Sequence, residues 1–374
     1  MGVGCPCCVA RHGGCRSAWD VAGRLSHFSV RHGAKPDLPV ASVIGMPSIS
    51  LGRATRIVML VAVLVTTTPM TAAAAKPSAA SPPSAVRLRE FKLPTANSGP
   101  TAIAVDRNGG IWFTEGLANK IATINRAGHV REYAIPTAGA FPNGITVAPE
   151  GTVWFSELYG NKVGRLNTNG TITEYPVDGP MGLAFGPDHN LWIAQAGAGR
   201  IARMSPTGQI IAEYPTPSVD SMPCQIVTGP DNAMWFTERN GNKVGRISTS
   251  GQITEYSVPL GPIGITVGPD GNLWVALQDA GSIVRVTPAG TVTVLPLDPP
   301  GTYGGSTGIT VGRDGNLWVA EQFSRHITRV TPSGVVTAFP VPNSPAFVVT
   351  DRDGSLWFTE YGANAIGVLK PPRR

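Results

Sequence analysis

Seven tryptophans recur at Trp112, Trp154, Trp192, Trp235, Trp274, Trp318 and Trp357, spaced 42, 38, 43, 39, 44 and 39 residues apart. A chain that restates one unit at this interval must build similar supersecondary units and stack them, because no single unit buries its own apolar faces. The unit is clearest at 262–276, PIGITVGPDGNLWVA. Its fuller form runs P-x-G-I-T-V-G-P-D-G-N-L-W-F-T-E, then N-K-I-G-R-I, then G-x-I-T-E-Y-x-x-P. These runs predict four short strands per unit, which in the fourth unit are Gln225–Thr228, Ala233–Thr237, Lys243–Ile247 and Ile253–Tyr256. Pairs such as Asp270-Gly271, Asp314-Gly315 and Asp353-Gly354 suit tight hairpins, since glycine takes a positive φ without a steric cost. Gly and Pro make up 79 of 374 residues, which favours many turns over long helices. The expected fold is all-β: a seven-bladed propeller with four antiparallel strands per blade.

The two ends of the repeat array are complementary. The last unit supplies strands expected at Pro345–Val349, Leu356–Thr359 and Ala365–Leu369, then stops without an I-T-E-Y segment. Leu88–Pro94, LREFKLP, matches that missing strand and precedes the first full unit. Placed beside the final strands, it closes the ring and removes an exposed sheet edge.

Unit motifs of the DGNLWFTE, NKVGRI and ITEYPVP type, repeated across 86–374, resemble the streptogramin B lyase (virginiamycin B lyase) family. The resemblance implies a propeller that opens cyclic depsipeptide antibiotics by elimination at the ester bond, an antibiotic-resistance activity. It also implies a magnesium ion, histidines and glutamates gathered at one channel mouth. Such chemistry needs a base to remove an α-proton and a cation to stabilise the developing enolate. The family places histidines eleven residues before the tryptophan in the last two blades. Here those seven positions are Thr101, Asn143, Met181, Cys224, Ile263, Thr307 and Ala346, and none is histidine. Ala346 stands where the resemblance puts the proton-abstracting histidine, Thr307 where it puts the substrate-binding one, and Ser344 where it puts a metal-binding glutamate. Glu360 alone matches a remaining metal ligand. Downstream of the leader the histidines are His129, His189 and His326, two in turns and one in the lysine slot of N-K-I-G-R.

Three residues after the tryptophans stand Glu115, Glu157, Gln195, Glu238, Leu277, Glu321 and Glu360. Five acids at one repeat position are expected near one end of the channel, where they share protons or hold a hard cation such as magnesium, with Glu360, Glu321 and Glu115 as candidate ligands. The alternative is an architectural ladder in which each Glu takes hydrogen bonds from the repeat's own Arg165, Arg203, Arg246, Arg285 and Arg329, or from Asn119, Asn161, Asn242 and Asn364. A functional site should break the symmetry, as Gln195 and Leu277 in the glutamate row, Cys224 and the lengthened loop 298–306 do; the candidate binding residues at the channel mouth are Thr307, Ala346, Ser344, Cys224 and Asn143. Two functions follow: a ligand- or partner-binding propeller, comparable to NHL-type sensors, taking a small molecule or peptide at the mouth, or a magnesium-dependent carbon–oxygen lyase.

The formal charge of +6 invites a nucleic-acid reading, but it resides in residues 1–84, which carry eight basic and two acidic side chains. The remaining 290 residues hold 22 of each, so the propeller has no cationic excess to displace counterions, and no nucleic-acid partner is expected. Arg53 and Arg56, the apolar run 57–65 and Ala73-Ala74-Ala75 have the order of a secretory signal. The run is too short for a stable span, although an anchored segment is the rival reading. The expected division is a doubtful extension over 1–45 with translation starting at Met46, a signal peptide over 46–75, a linker over 76–85 and the propeller over 86–374. The mature protein is expected to be a monomer, secreted or in the cell envelope. Four cysteines, Cys5, Cys7, Cys8 and Cys15, lie in the extension, which leaves Cys224 alone and excludes a disulfide framework.

Overall fold

The computed structural model describes residues 86–297 and 304–372. The expected leader, signal and linker over 1–85, and residues 298–303 of the symmetry-breaking loop, lie outside that range. Seven four-stranded antiparallel sheets follow one another along the chain. Six are continuous, over 100–134, 142–176, 180–215, 223–257, 262–296 and 306–340, and in each the sheet order follows the chain order from an inner to an outer strand. The seventh combines Val348–Thr350, Leu356–Glu360 and Ala365–Lys370 with Arg87–Lys92 as its outer strand. Arg87 pairs with Lys370 and Lys92 with Ala365. Among the described residues the only helical segment is a single turn at Tyr361–Ala363, and no helix is long and apolar enough to cross a membrane.

The core lies between blades. Trp154 and Val163 of the second blade pack with Leu183, Leu191 and Ile193 of the third, and equivalent clusters recur around the ring. Each tryptophan also presents a polar edge that must be satisfied. Trp235 Nε1 donates to Asp231 at 2.9 Å, and Arg246 pairs with the same carboxylate at 2.6 Å. Trp192, Asp188 and Arg203 repeat the node, as do Trp274, Asp270 and Arg285. This corrects one expectation: these arginines do not bond the glutamates. Arg246 lies directly opposite Trp235 in the ladder, at the hairpin end, whereas Glu238 lies three residues further along the strand and opposite Lys243.

Inner strands approach one another at the glycine of P-x-G. A Cβ on Gly308 would stand 2.6 Å from Phe347 Cα and 2.8 Å from Ala346 O, so adjacent backbones nearly touch. The last inner strand departs from the pattern and from the expected Pro345–Val349, because it is ordered as a strand only over Val348–Thr350. Phe347 occupies the glycine position there, and its ring needs room that a flat inter-blade contact does not offer.

Candidate functional site

The turns between second and third strands and the loops joining blades meet at one end of the propeller, where they are stitched together. Gly116 N donates to Gly99 O at 2.9 Å and Gln322 N to Gly305 O at 3.0 Å. Asn119, Asn161, Asn242 and Asn364 adopt left-handed backbone conformations in these turns. Their side chains hold the inter-blade loops and not the glutamates: Asn119 Nδ2 donates to Thr137 O at 2.8 Å and its Oδ1 accepts from Ala140 N at 2.8 Å.

The channel at this end is filled by apolar side chains. Met181, Cys224 and Ile263, all from the position eleven residues before the tryptophan, cluster with Phe141 and Leu158, and Phe347 and Met222 pack against them. The Cys224 thiol is buried and donates to Met222 O at 3.4 Å. Thr307 is buried with its hydroxyl bonded to Ala346 O, and Thr101 bonds Thr114 and Pro142 O. Ala346 is buried, and Ser344 is half-buried in the loop 341–347. Asn143 is 3% exposed and its Nδ2 is sealed from solvent without a protein partner, a buried unsatisfied donor. Around this floor Leu117, Tyr159, Val219, Leu260 and Phe323 stand exposed on the loops.

Sequence reasoning did not single out Phe141 or Phe347. The signal for Phe347 was present, since it replaces the glycine of P-x-G. Phe141 sits in a loop of the second unit where the repeat fixes no residue, and its backbone takes a positive φ of 52°.

The glutamates stand at the mouth end of their strands but each inside its own blade. Glu115, Glu157, Glu238 and Glu360 are fully buried, and Glu321 is nearly so and accepts from Ser324 Oγ at 3.0 Å. Burial, followed by the neighbouring acids Glu132, Glu174 and Glu255, pushes Glu115, Glu157 and Glu238 up to about 7. Burial and the adjacent Glu90 push Glu360 up to about 8. A magnesium ion needs several ionised or carbonyl oxygens converging on one point. Among the described residues no three His, Cys, Asp or Glu side chains converge in that way. Burial and Glu90 hold the Glu360 carboxyl above the ordinary carboxylate range, and a serine stands at 344 where the resemblance puts a second carboxylate. The residues present do not fit that ion.

Two of the histidines lie at the opposite, hairpin end, whereas His326 starts its strand at the mouth end, opposite Glu321 in the ladder. His129 lines a surface cleft with Arg126 and Arg131 at the hairpin end of the first blade. His189 sits in the turn before Trp192, and His326 starts a third strand.

The model of the Virginiamycin B lyase family matches residues 83–179 and 177–374. The chain belongs to the virginiamycin B lyase family. Solved structures of the family agree in fold. A streptogramin B lyase is 33% identical with a TM-score of 0.73, covering 76% of this chain and 98% of that one. The selenomethionine-substituted virginiamycin B lyase from Staphylococcus aureus is 34% identical with a TM-score of 0.72, covering 76% and 99%. A catalytically inactive histidine-to-alanine variant of the Staphylococcus aureus enzyme, with quinupristin, is 35% identical at a TM-score of 0.72, again covering 76% and 99%. A comparison with curated protein sequences gives no match.

Proposed function

We propose that this member of the virginiamycin B lyase family is an exported propeller that binds a neutral, largely apolar small molecule or peptide at its channel mouth without catalysing elimination. One observation carries the reading: the seven equivalent mouth positions, from Thr101 to Ala346, hold no histidine and no carboxylate, and three of them join an apolar floor. Elimination needs a base within reach of the α-proton. Ala346 has none to offer, and a histidine-to-alanine change accompanies inactivity in the Staphylococcus aureus protein. The exposed apolar rim favours a ligand that brings apolar surface. Export rests on the basic, apolar and small-residue order of residues 53–75.

The competing reading, a lyase for cyclic depsipeptides, draws on family membership. Both are tested by incubating the full chain with quinupristin and magnesium and following the products by liquid chromatography with mass detection. Elimination opens the ring at unchanged mass. No conversion, with saturable quinupristin binding by calorimetry that Phe323→Ser weakens, is the expected result. A new peak at unchanged mass that a chelator abolishes overturns the proposal.

A further inference from the structure

Five of the repeat tryptophans face an arginine across the ladder between second and third strands. Arg165, Arg203, Arg246, Arg285 and Arg329 stand directly opposite Trp154, Trp192, Trp235, Trp274 and Trp318. In the third, fourth and fifth blades the guanidinium has a set place. One oxygen of Asp188, Asp231 or Asp270 accepts from the indole N–H, and the other pairs with the arginine at 2.7, 2.6 and 2.8 Å respectively. The Arg203 guanidinium also lies over the Trp192 ring, 5.5 Å from its centroid. Each of these nodes recognises a guanidinium by the same two features, a carboxylate and an indole face.

The first blade keeps the recognising features and lacks the arginine. Asp106 holds the turn before its tryptophan: Oδ1 accepts from Asn108 N at 2.7 Å and Gly110 N at 2.8 Å, and Oδ2 accepts from Trp112 Nε1 at 3.2 Å. Opposite Trp112 stands Thr123, whose short hydroxyl turns back to Ile111 O at 2.8 Å. Among the described residues no basic side chain pairs with Asp106. Trp112 is only half-buried, whereas the other six repeat tryptophans are buried. A cleft of about 560 Å³ opens here, lined by Asp106, Thr123, Arg126, His129 and Arg131 with the backbone of the two adjoining turns. Small-molecule sites span about 300–1,000 Å³, so the space suits a ligand and exceeds a packing defect.

The seventh blade also lacks the arginine, and there a neighbour fills the gap. Val368 stands opposite Trp357, but Arg126 reaches in from the first blade and pairs with Asp351 at 3.5 Å. Nothing equivalent serves the first blade. Arg126 is committed to Asp351 and Asp353, each at 3.5 Å. Arg131, the cross-strand neighbour of Thr123, lies over the Tyr133 ring at 4.8 Å. His129 Nδ1 is held by Asn125 Nδ2 at 3.3 Å.

We propose that the cleft beside Asp106 is a binding site for a guanidinium-bearing small ligand, which takes the place that arginine side chains hold in the sister blades. Its guanidinium pairs with the Asp106 carboxylate and covers the Trp112 ring. The rest of the lining sets the rest of the ligand. The charge of Arg126 is answered by Asp351 and Asp353, whereas Arg131 is exposed and stacked on an uncharged ring, so a carboxylate on the ligand finds its partner there. A ligand with a guanidinium at one end and a carboxylate at the other satisfies both, and a polycation without a carboxylate is repelled by the two arginines. The cleft lies at the hairpin end, opposite the channel mouth, and stands apart from the reading of the mouth.

The test titrates the full chain with L-arginine by calorimetry near neutral pH. L-Citrulline, in which a neutral ureido group of similar shape replaces the guanidinium, is the control. The expected result is saturable binding of one arginine per chain, a shift of the Trp112 indole N–H proton resonance over the same titration, and no binding of citrulline. Asp106→Asn keeps the acceptor for the turn amides and removes the charge, and should weaken arginine binding about fivefold. Thr123→Arg supplies the guanidinium from within, opposite the tryptophan as in five sister blades, and should abolish binding. Absence of saturation up to about 10 mM arginine, citrulline binding as tightly as arginine, or arginine binding undiminished by Thr123→Arg overturns the assignment. The citrulline comparison leaves the chain untouched, so the charge dependence is decided even where a variant fails to fold.

Discussion

Replacing Gly308 by alanine tests whether the ring is held at its backbone-to-backbone spacing. The new Cβ would lie 2.6 Å from Phe347 Cα and 2.8 Å from both Ala346 O and Val348 N. Carbon atoms pack at about 3.5–4.0 Å, so the seventh inner strand must retreat by about 1 Å. None of the three atoms belongs to a side chain that could rotate away. The same retreat strains the bond from Gly308 N to Ala346 O, 2.9 Å long in the native protein. Overpacking of this kind costs about 1–3 kcal/mol, and the reduced freedom of the unfolded chain returns roughly 0.4–1 kcal/mol. A net loss of ~1–2 kcal/mol corresponds to a melting temperature about 2–8 °C lower. Differential scanning calorimetry of the two proteins in one buffer measures it. An unchanged or raised melting temperature would refute the claim that glycine is needed for close approach.

Asp231→Ala leaves the buried Trp235 N–H without an acceptor and should cost about 1–3 kcal/mol in urea denaturation. Asp231→Asn keeps an acceptor and loses only the half-exposed Arg246 pair, so its cost should stay below about 1 kcal/mol; equal losses would contradict this reading of the node. Removing residues 86–92 deletes the outer strand of the seventh blade and the Phe91 ring that stacks on Trp357 at 6.0 Å. The shortened chain should melt earlier and associate as concentration rises, because an open ladder edge recruits a second one; light scattering that shows a monomer at every concentration would count against it.

The architecture was legible because its signals are local and repeated. Tryptophan spacing, Asp-Gly hairpins and the orphan strand near Leu88 depend on neighbours a few residues apart, and each recurs often enough to average out exceptions. The pairing of Arg246 with Asp231 was not legible, because it depends on which residues face each other across a hairpin and not on their distance from the tryptophan. The glutamate partners were hidden for a related reason: Glu174 reaches Glu157 from two strands away, and Thr137 reaches Glu174 from a loop 37 residues earlier. The absence of histidine from the seven positions eleven before the tryptophans could be read directly, whereas the apolar floor could not. Met181, Cys224 and Ile263 share one repeat position, but Phe141, Leu158, Met222 and Phe347 share none with them, and only closure of the ring brings Phe347 against this cluster.

The ladder between Arg87–Lys92 and Ala365–Lys370 has a mechanical consequence. Because the strands run antiparallel with Arg87 opposite Lys370, the incoming and outgoing chain leave from the same end of that ladder. Tension applied across the two ends loads one hydrogen-bonded pair at a time, as in a zipper, and does not shear all the pairs together. A propeller built this way resists heat through cooperative packing all around the ring yet peels open from one seam under a small pulling force.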